Sequence, residues 1–485
     1  MTRSIVDLRP VLRVVGTLLC GLAIPMLVTA VVDANVGNPD WHVFLASTVI
    51  TVAFGGALIF SNAGQGATRL TVRQAFLMTS LSWIAVSAFG AIPFLGLGLT
   101  YTDALFESIS GLTTTGSTVL TGLDTLPPGV LFWRSLLQWV GGVGIILMAI
   151  IILPFLRIGG MQLFQTESSE RSEKVTARPL QLAGWIASIY ALLTFLCILA
   201  YAFGGMSMFD AICHAMTTLS TGGFSTHDAS FSYFQSGWLQ WSGTIFMVAG
   251  GMPFVAFIRF ARGDFRALLT DVQVRALVSF LGISAVLMAA WHSMTYASDF
   301  FDSLRLTAFN LTSIVTTTGF ASTDYATWGP LAVAVIFIFT FVGGCTGSTA
   351  GGIKVYRFQI LWLMVRTYLL RLVSPNRVVL VTYSQRRVSQ EVISAVLAFI
   401  AMYFGTVAVG TIALGAMGLD LVTAVSAMAT AISNVGPGLG DIIGPSGNFA
   451  TLPDGAKWVL SAAMLLGRLE IFTVLVLLDP HFWRG

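Results

Sequence analysis

Apolar residues in this chain gather into long runs broken by short polar stretches, and the run lengths fall into two classes. Runs near 14–32, 43–60, 75–97, 130–155, 181–203, 237–258, 273–291, 330–345 (continuing unevenly to about 370), 391–415 and 457–478 are each read as a full crossing of a bilayer. A hydrocarbon layer about 30 Å thick needs about 20 apolar residues in helical form. The pattern therefore predicts about ten spans. Between them lie shorter apolar stretches at 102–112, 208–219, 300–316 and 420–432. These are too short to cross, so they are expected to be half-membrane or re-entrant helices.

Composition agrees with a polytopic membrane protein. Of the 485 residues, 55% are hydrophobic and 10% charged, against about 25% charged in a soluble domain, and the mean hydropathy is +0.83. The run at 14–32 follows Arg3, Arg9 and Arg13 with no small-residue cleavage site, so it reads as an anchor that stays in place. Cys20, Cys197, Cys213 and Cys345 are scattered through apolar segments. No pair has metal-ligand spacing, a disulfide framework is not expected, and the dispersed histidines give a zinc or haem site little support. No cofactor is expected on this chain.

Charge orients the spans. With the N-terminus on the cytoplasmic side, the loops on that side hold 21 of the 25 basic residues, which is the positive-inside bias. The opposite side gathers acids such as Asp33, Asp40, Asp103, Glu107, Asp124 and Asp210, and an acidic face concentrates cations. Arg134, Arg305 and Lys457 fall near the outer edge, where long side chains are expected to snorkel.

An internal repeat organises the rest. The unit is span, short apolar helix, Thr/Ser/Gly turn, span. Its cores read "DALFESISGLTTTGST", "DAICHAMTTLSTGGFST", "DSLRLTAFNLTSIVTTTGFAST" and "DLVTAVSAMATAISNVGPG". Each opens on an acid (Asp103, Asp210, Asp302, Asp420) suited to a helix N-terminus as cap and dipole partner. Each ends in glycine, which permits backbone that a side chain resists. Non-helical backbone at membrane depth survives only where it lines a cavity or is buried in protein. Four such turns around one axis can replace the water shell of a cation with carbonyl and hydroxyl oxygens. The domains are expected to be 1–68 (a two-helix extension), then repeats over 69–175, 176–265, 266–385 and 386–485. The fold class is all-α: four tandem span–pore-helix–span units around a central pore, plus two extra N-terminal transmembrane helices.

Those motifs, with "NVGPG" and "GGCTGSTAGG", cover nearly the whole chain. The chain resembles the TrkH-type membrane subunits of bacterial Trk potassium-uptake systems, within the superfamily that includes the Ktr and plant high-affinity potassium transporters. The resemblance implies a selectivity filter built from Thr113, Thr114, Thr115 and Gly116; Leu219, Ser220, Thr221 and Gly222; Thr316, Thr317, Thr318 and Gly319; and Ser433, Asn434, Val435 and Gly436. Glycine at the key place of every repeat implies potassium as the transported ion. The fourth turn departs most, because "SNVG" carries fewer hydroxyls, so an asymmetric filter is expected.

Two further features stand out. "GGCTGSTAGGIK" interrupts an apolar run with glycines that hold no stable helix. It lacks the Gly-Lys-Ser/Thr order of a phosphate loop. From the residues alone it is either close helix packing through small residues or an unwound loop beneath the filter. The resemblance implies the latter, an intramembrane gate at Gly343, Gly344, Cys345, Thr346, Gly347, Ser348, Thr349, Ala350, Gly351 and Gly352. Arg468 and Glu470 lie inside the last apolar run. A mid-span arginine costs at least about 2.5 kcal/mol on insertion, so it must be paired or face water. The two residues point to different helix sides, which leaves an ion pair between spans or a positive charge near the pore; the resemblance implies the second for Arg468.

No nucleophile–base set or nucleotide-binding pattern is present, so neither an enzyme nor a nucleic-acid binder is expected. The resemblance implies a homodimer in the bacterial inner membrane, working with a cytosolic nucleotide-binding ring (TrkA-type). The basic loops at 157–178, 259–275 and 354–387 are its expected dock. A symporter coupled to protons or sodium is the alternative mode of transport.

Overall fold

The structure is a computed structural model and describes residues 7–63, 71–152, 156, 179–376, 380–384 and 386–484. The boundaries expected at 68/69 and 175/176, and the first candidate docking loop at 157–178, lie outside the described residues.

Among the described residues the protein is all-α apart from one antiparallel pair of two-residue strands, Thr382–Tyr383 with Arg386–Arg387. Seven helices among the described residues are long and apolar enough to cross a membrane. The first two, Arg9–Asn35 and Trp41–Ser61, cross closely through glycine: a Cβ on Gly16 would stand 2.6 Å from the Gly55 carbonyl. The first also docks on the repeats. The buried Asp33 accepts from the amide of Gly129 at 2.7 Å, in the opening turn of Pro128–Leu147, a favourable place for an acid.

Three of the ten expected spans are not single helices. Residues 237–258 form Gly237–Gly251 and Phe254–Ala261, bent by 97°; residues 457–478 form Asp454–Arg468 and Phe472–Leu478, bent by 104°. The first break falls at Met252–Pro253, where proline offers no amide. The second falls at Glu470 and Ile471, both at positive φ. The run from 330 is helical only over Pro330–Phe339, then unwinds, and resumes as Val355–Val373. At the first break the freed carbonyls of Gly250 and Gly251 accept from the Thr349 hydroxyl and the Cys345 amide.

The four short apolar stretches are helices as expected: Tyr101–Leu112, Met208–Leu219, Phe300–Val315 and Leu421–Ser433. Their capping differs from expectation. Asp420 caps its helix directly, accepting from the Thr423 amide at 3.0 Å. Asp103, Asp210 and Asp302 instead sit inside the first turn, and the caps are Thr100, Ser207 and Asp299. The Thr100 hydroxyl accepts from the Asp103 amide and donates to its carboxylate at 2.9 Å; Ser207 and Asp210 do the same at 2.7 Å. The acids still face the positive end of each helix dipole.

Candidate functional site

Each short helix ends in one shared backbone turn. Thr114, Thr221, Thr317 and Asn434 take left-handed φ values of 53°, 52°, 58° and 56°. Two residues later, Gly116, Gly223, Gly319 and Gly436 stand at 88°, 76°, 83° and 110°. The residue between donates its amide back into the helix: Thr115 to Ser110, Gly222 to Thr217 and Thr318 to Ser313 at 2.8 Å, and Val435 to Thr430 at 3.0 Å. A threonine at positive φ is a genuine outlier and costs about 1–3 kcal/mol where the surroundings enforce it. Three at matched positions mark a built site.

This geometry corrects the register of the second turn. The equivalent quartet is Ser220–Gly223, one residue beyond the expected Leu219–Gly222. Leu219 is the last residue of its helix, and the key glycine is Gly223. The sequence "STGG" offers two glycines, and only the helix end decides between them. Every key position remains glycine.

The four turns close a ring. A Cβ on Gly116 would stand 2.2 Å from the Gly222 carbonyl oxygen, one on Gly223 1.9 Å from that of Thr318, one on Gly319 2.1 Å from that of Val435, and one on Gly436 2.8 Å from that of Thr115. Repeat one thus touches two, two touches three, three touches four and four touches one, each through backbone. Side chains add to the closure between four and one. The Asn434 amide donates to the Thr115 hydroxyl at 3.0 Å, and the Ser117 hydroxyl donates to the Gly436 carbonyl at 2.9 Å. Thr113 and Thr316 pair with Thr115 and Thr318 at 2.7 and 2.8 Å. Gly222 and Val435 have no hydroxyl at that place, so the second and fourth turns lack such a pair. The C-terminal ends of all four short helices, with their partial negative charge, meet at this ring.

Residues 343–352 lie directly against the ring as an unwound, buried loop. The Gly351 amide donates to the Thr317 hydroxyl at 2.6 Å, and the Gly352 amide donates to the Ser433 carbonyl at 2.8 Å. The Thr349 hydroxyl donates to the carbonyls of Leu219 at 3.0 Å and Gly250 at 2.9 Å. The loop thereby touches repeats two, three and four. The broken helix of repeat two holds it: the Cys345 amide donates to Gly251 and the Phe254 amide donates to Gly347, at 2.9 and 3.0 Å. Gln273 accepts from the amide of Thr346 at 2.9 Å. The Gly351 and Gly343 backbones approach so closely that a Cβ on Gly343 would stand 2.0 Å from the Gly351 carbonyl. Ser348, Ala350 and Gly344 are also buried.

Arg468 reaches this loop and not Glu470. Its Nη1 donates to the Thr349 carbonyl at 2.8 Å, while Nε and Nη2 are buried with no partner among the described residues. Glu470 pairs with Arg357 of repeat three at 2.5 Å, and that guanidinium lies 3.6 Å from the Phe399 ring centroid. Lys354 donates to the Ala350 carbonyl. Lys354 and Arg357 are therefore buried and form no part of a docking surface, unlike the exposed Arg262 and Arg266.

Two residues expected to snorkel are interior. Arg134 is 1% exposed, donates to Glu107 at 2.8 Å, to the Ser225 carbonyl at 2.8 Å and to the Thr118 hydroxyl at 3.2 Å. Lys457 is 4% exposed and donates to Asp103 at 2.6 Å. Both lie close enough to carboxylates on the first short helix to pair, which is why neither needs the interface. Arg305, paired with Asp302 at 3.0 Å, stays partly exposed. Gln138, whose amide contacts the second turn, carried no signal in the sequence.

The profile of a family described as TrkH, cation transport protein, matches residues 41–483. Among curated proteins, the Trk system potassium uptake protein TrkI of Halomonas elongata is 46% identical over 479 residues, covering 98% of this chain and 97% of that protein. The Trk system potassium uptake protein TrkH of Escherichia coli K12 is 37% identical over 485 residues, covering 98% and 99%. The crystal structure of the potassium transporter TrkH from Vibrio parahaemolyticus superposes with a TM-score of 0.91 at 36% identity, over 99% of this chain and 100% of that one.

Proposed function

The chain belongs to the TrkH family of cation transport proteins, and on that footing we propose that it takes up potassium across the bacterial cytoplasmic membrane. The ion passes the ring of four turns, and the 343–352 loop gates the path. The observation that carries this reading is the ring closure: the key glycine of each repeat packs on a carbonyl of the next. Such a ring of backbone oxygens can take the place of hydration water around a potassium ion. The loop is hydrogen-bonded to three of the four repeats, so opening requires breaking neutral hydrogen bonds together with the bond from Arg468 to the Thr349 carbonyl. Arg468, donating to Thr349, holds the loop closed and places a positive charge where a leaving cation would pass. The positive-inside bias supports a cytoplasmic N-terminus. The exposed arginines at 259–275 are the proposed dock for a nucleotide-binding regulatory ring, with the membrane protein as a homodimer.

The test is rubidium-86 uptake into proteoliposomes loaded with potassium, comparing wild type, Gly116→Ser and a deletion of 345–350. Wild-type uptake driven by the potassium gradient alone is expected. Gly116→Ser should lose discrimination against sodium, because its side chain meets a carbonyl at 2.2 Å on a backbone at positive φ. The deletion should raise the basal rate. Uptake that requires an imposed sodium or proton gradient would establish a symporter instead.

A further inference from the structure

The second turn of the ring lacks what stiffens the other three. At the position before the key glycine, repeats one, three and four carry Thr115, Thr318 and Val435, all β-branched and restricted at χ1. Repeat two carries Gly222, followed by Gly223, so two of the most permissive residues stand in succession. The missing side chain is replaced from outside. Gln138, on the Pro128–Leu147 helix of repeat one, is fully buried; its amide nitrogen donates to the Gly222 carbonyl at 2.6 Å and its amide oxygen accepts from the Phe224 amide at 3.0 Å. The two bonds bracket Gly223. They also fix which way the amide is turned, since one partner only accepts and the other only donates. A Cβ on Gly222 would meet the Gln138 side chain at 2.3 Å, and its three nearest atoms all belong to that residue.

Among the described residues, the other three turns have no side chain that brackets the key glycine in this way. Gly141, Gly250 and Gly467 pack on the carbonyls of Leu112, Leu219 and Ile432, in each case the residue just before the turn of their own repeat, which puts the three spans in register. Three residues earlier they carry Gln138, Met247 and Met464. Methionine has no amide to offer. In repeat three the helix has already ended at Phe339. Among the described residues, the carbonyls of Thr115, Thr318 and Val435 accept no hydrogen bond, whereas that of Gly222 does.

We propose that Gln138 is a specificity-setting positioning residue, an in-trans substitute for the β-branched side chain that repeat two lacks, which holds the Gly222–Phe224 segment in the ring. The assignment rests on the ring acting as the ion filter. It requires that removing the clamp relax discrimination between potassium and sodium more than it slows uptake, and that a β-branched residue at 222 restore it. Gly222 does not take positive φ, so threonine fits its backbone once the amide is gone.

The experiment measures inhibition of rubidium-86 uptake by potassium and by sodium, in proteoliposomes of the full chain. The variants are Gln138→Ala, Gln138→Ala combined with Gly222→Thr, and Gly116→Ser. Gln138→Ala is expected to lower the potassium-over-sodium ratio roughly fivefold, the size of one buried hydrogen bond, and the double variant to recover most of it. An unchanged ratio in Gln138→Ala, or a double variant no better than the single, overturns the proposal. If Gln138→Ala does not yield folded protein, the double variant decides alone: a wild-type ratio supports the clamp and a reduced ratio overturns it. A ratio unmoved by Gly116→Ser sinks the filter reading itself, whereas a ratio lowered by Gly116→Ser but not by Gln138→Ala sinks only the clamp.

Discussion

The two sides of the ring treat buried positive charge in opposite ways. On the side where the short helices begin, cations are matched to carboxylates: Arg134 to Glu107 and Lys457 to Asp103, both on the helix Tyr101–Leu112. On the loop side, Arg357 pairs with Glu470, but Lys354 and Arg468 donate to carbonyls of the loop itself. Ion pairs with extra hydrogen bonds keep one geometry, because separating them leaves a charge uncompensated in low dielectric. A cation on a neutral carbonyl gives up less when it leaves. Under the proposed function, the side that would discriminate is stapled, and the side that would move is held by contacts that can be exchanged.

Substitutions break this comparison in graded steps. Arg134→Met strands Glu107, whose side chain is fully buried, and should cost about 3–5 kcal/mol in denaturant unfolding of the micellar protein. Adding Glu107→Leu should recover most of that loss, and a double variant as unstable as the single would show that the charges are not the reason for it. Lys457→Met should cost less, about 1–2 kcal/mol, because Asp103 retains 19% exposure and keeps its bond to Thr100. Arg468→Gln should change stability least, under about 1 kcal/mol, since it removes a guanidinium with two unpartnered nitrogens among the described residues. The same variant should raise basal rubidium uptake several-fold. A stability loss as large as that of Arg134→Met would end the distinction between the two sides.

Much of this organisation was legible because it depends on local pattern. The short helices, their acidic first turns and the glycine-ended turns recur four times, and each recurrence needs no knowledge of the others. Three things were not legible. The second turn is displaced by one residue, because a helix end is set by hydrogen bonding that "LSTGG" does not encode. Two expected spans bend by about a right angle at Met252–Pro253 and Glu470–Ile471, where average hydropathy stays high across the break. Arg134 and Lys457 are interior because their carboxylate partners lie 27 and 354 residues away, a proximity that no window along the chain contains.

The sequence by itself determined the environment of the protein, its four-fold repetition and the residue types of the ring, since hydropathy, propensity for turns and glycine's freedom act over a few residues. Only the tertiary structure decided which glycine of the second turn enters the ring, that each turn packs on its neighbour's carbonyl, and that Gln138 stands in for a side chain another repeat would have supplied. Those outcomes depend on close approach between segments far apart in the chain, and contact at a few ångströms is a property of packing rather than of composition.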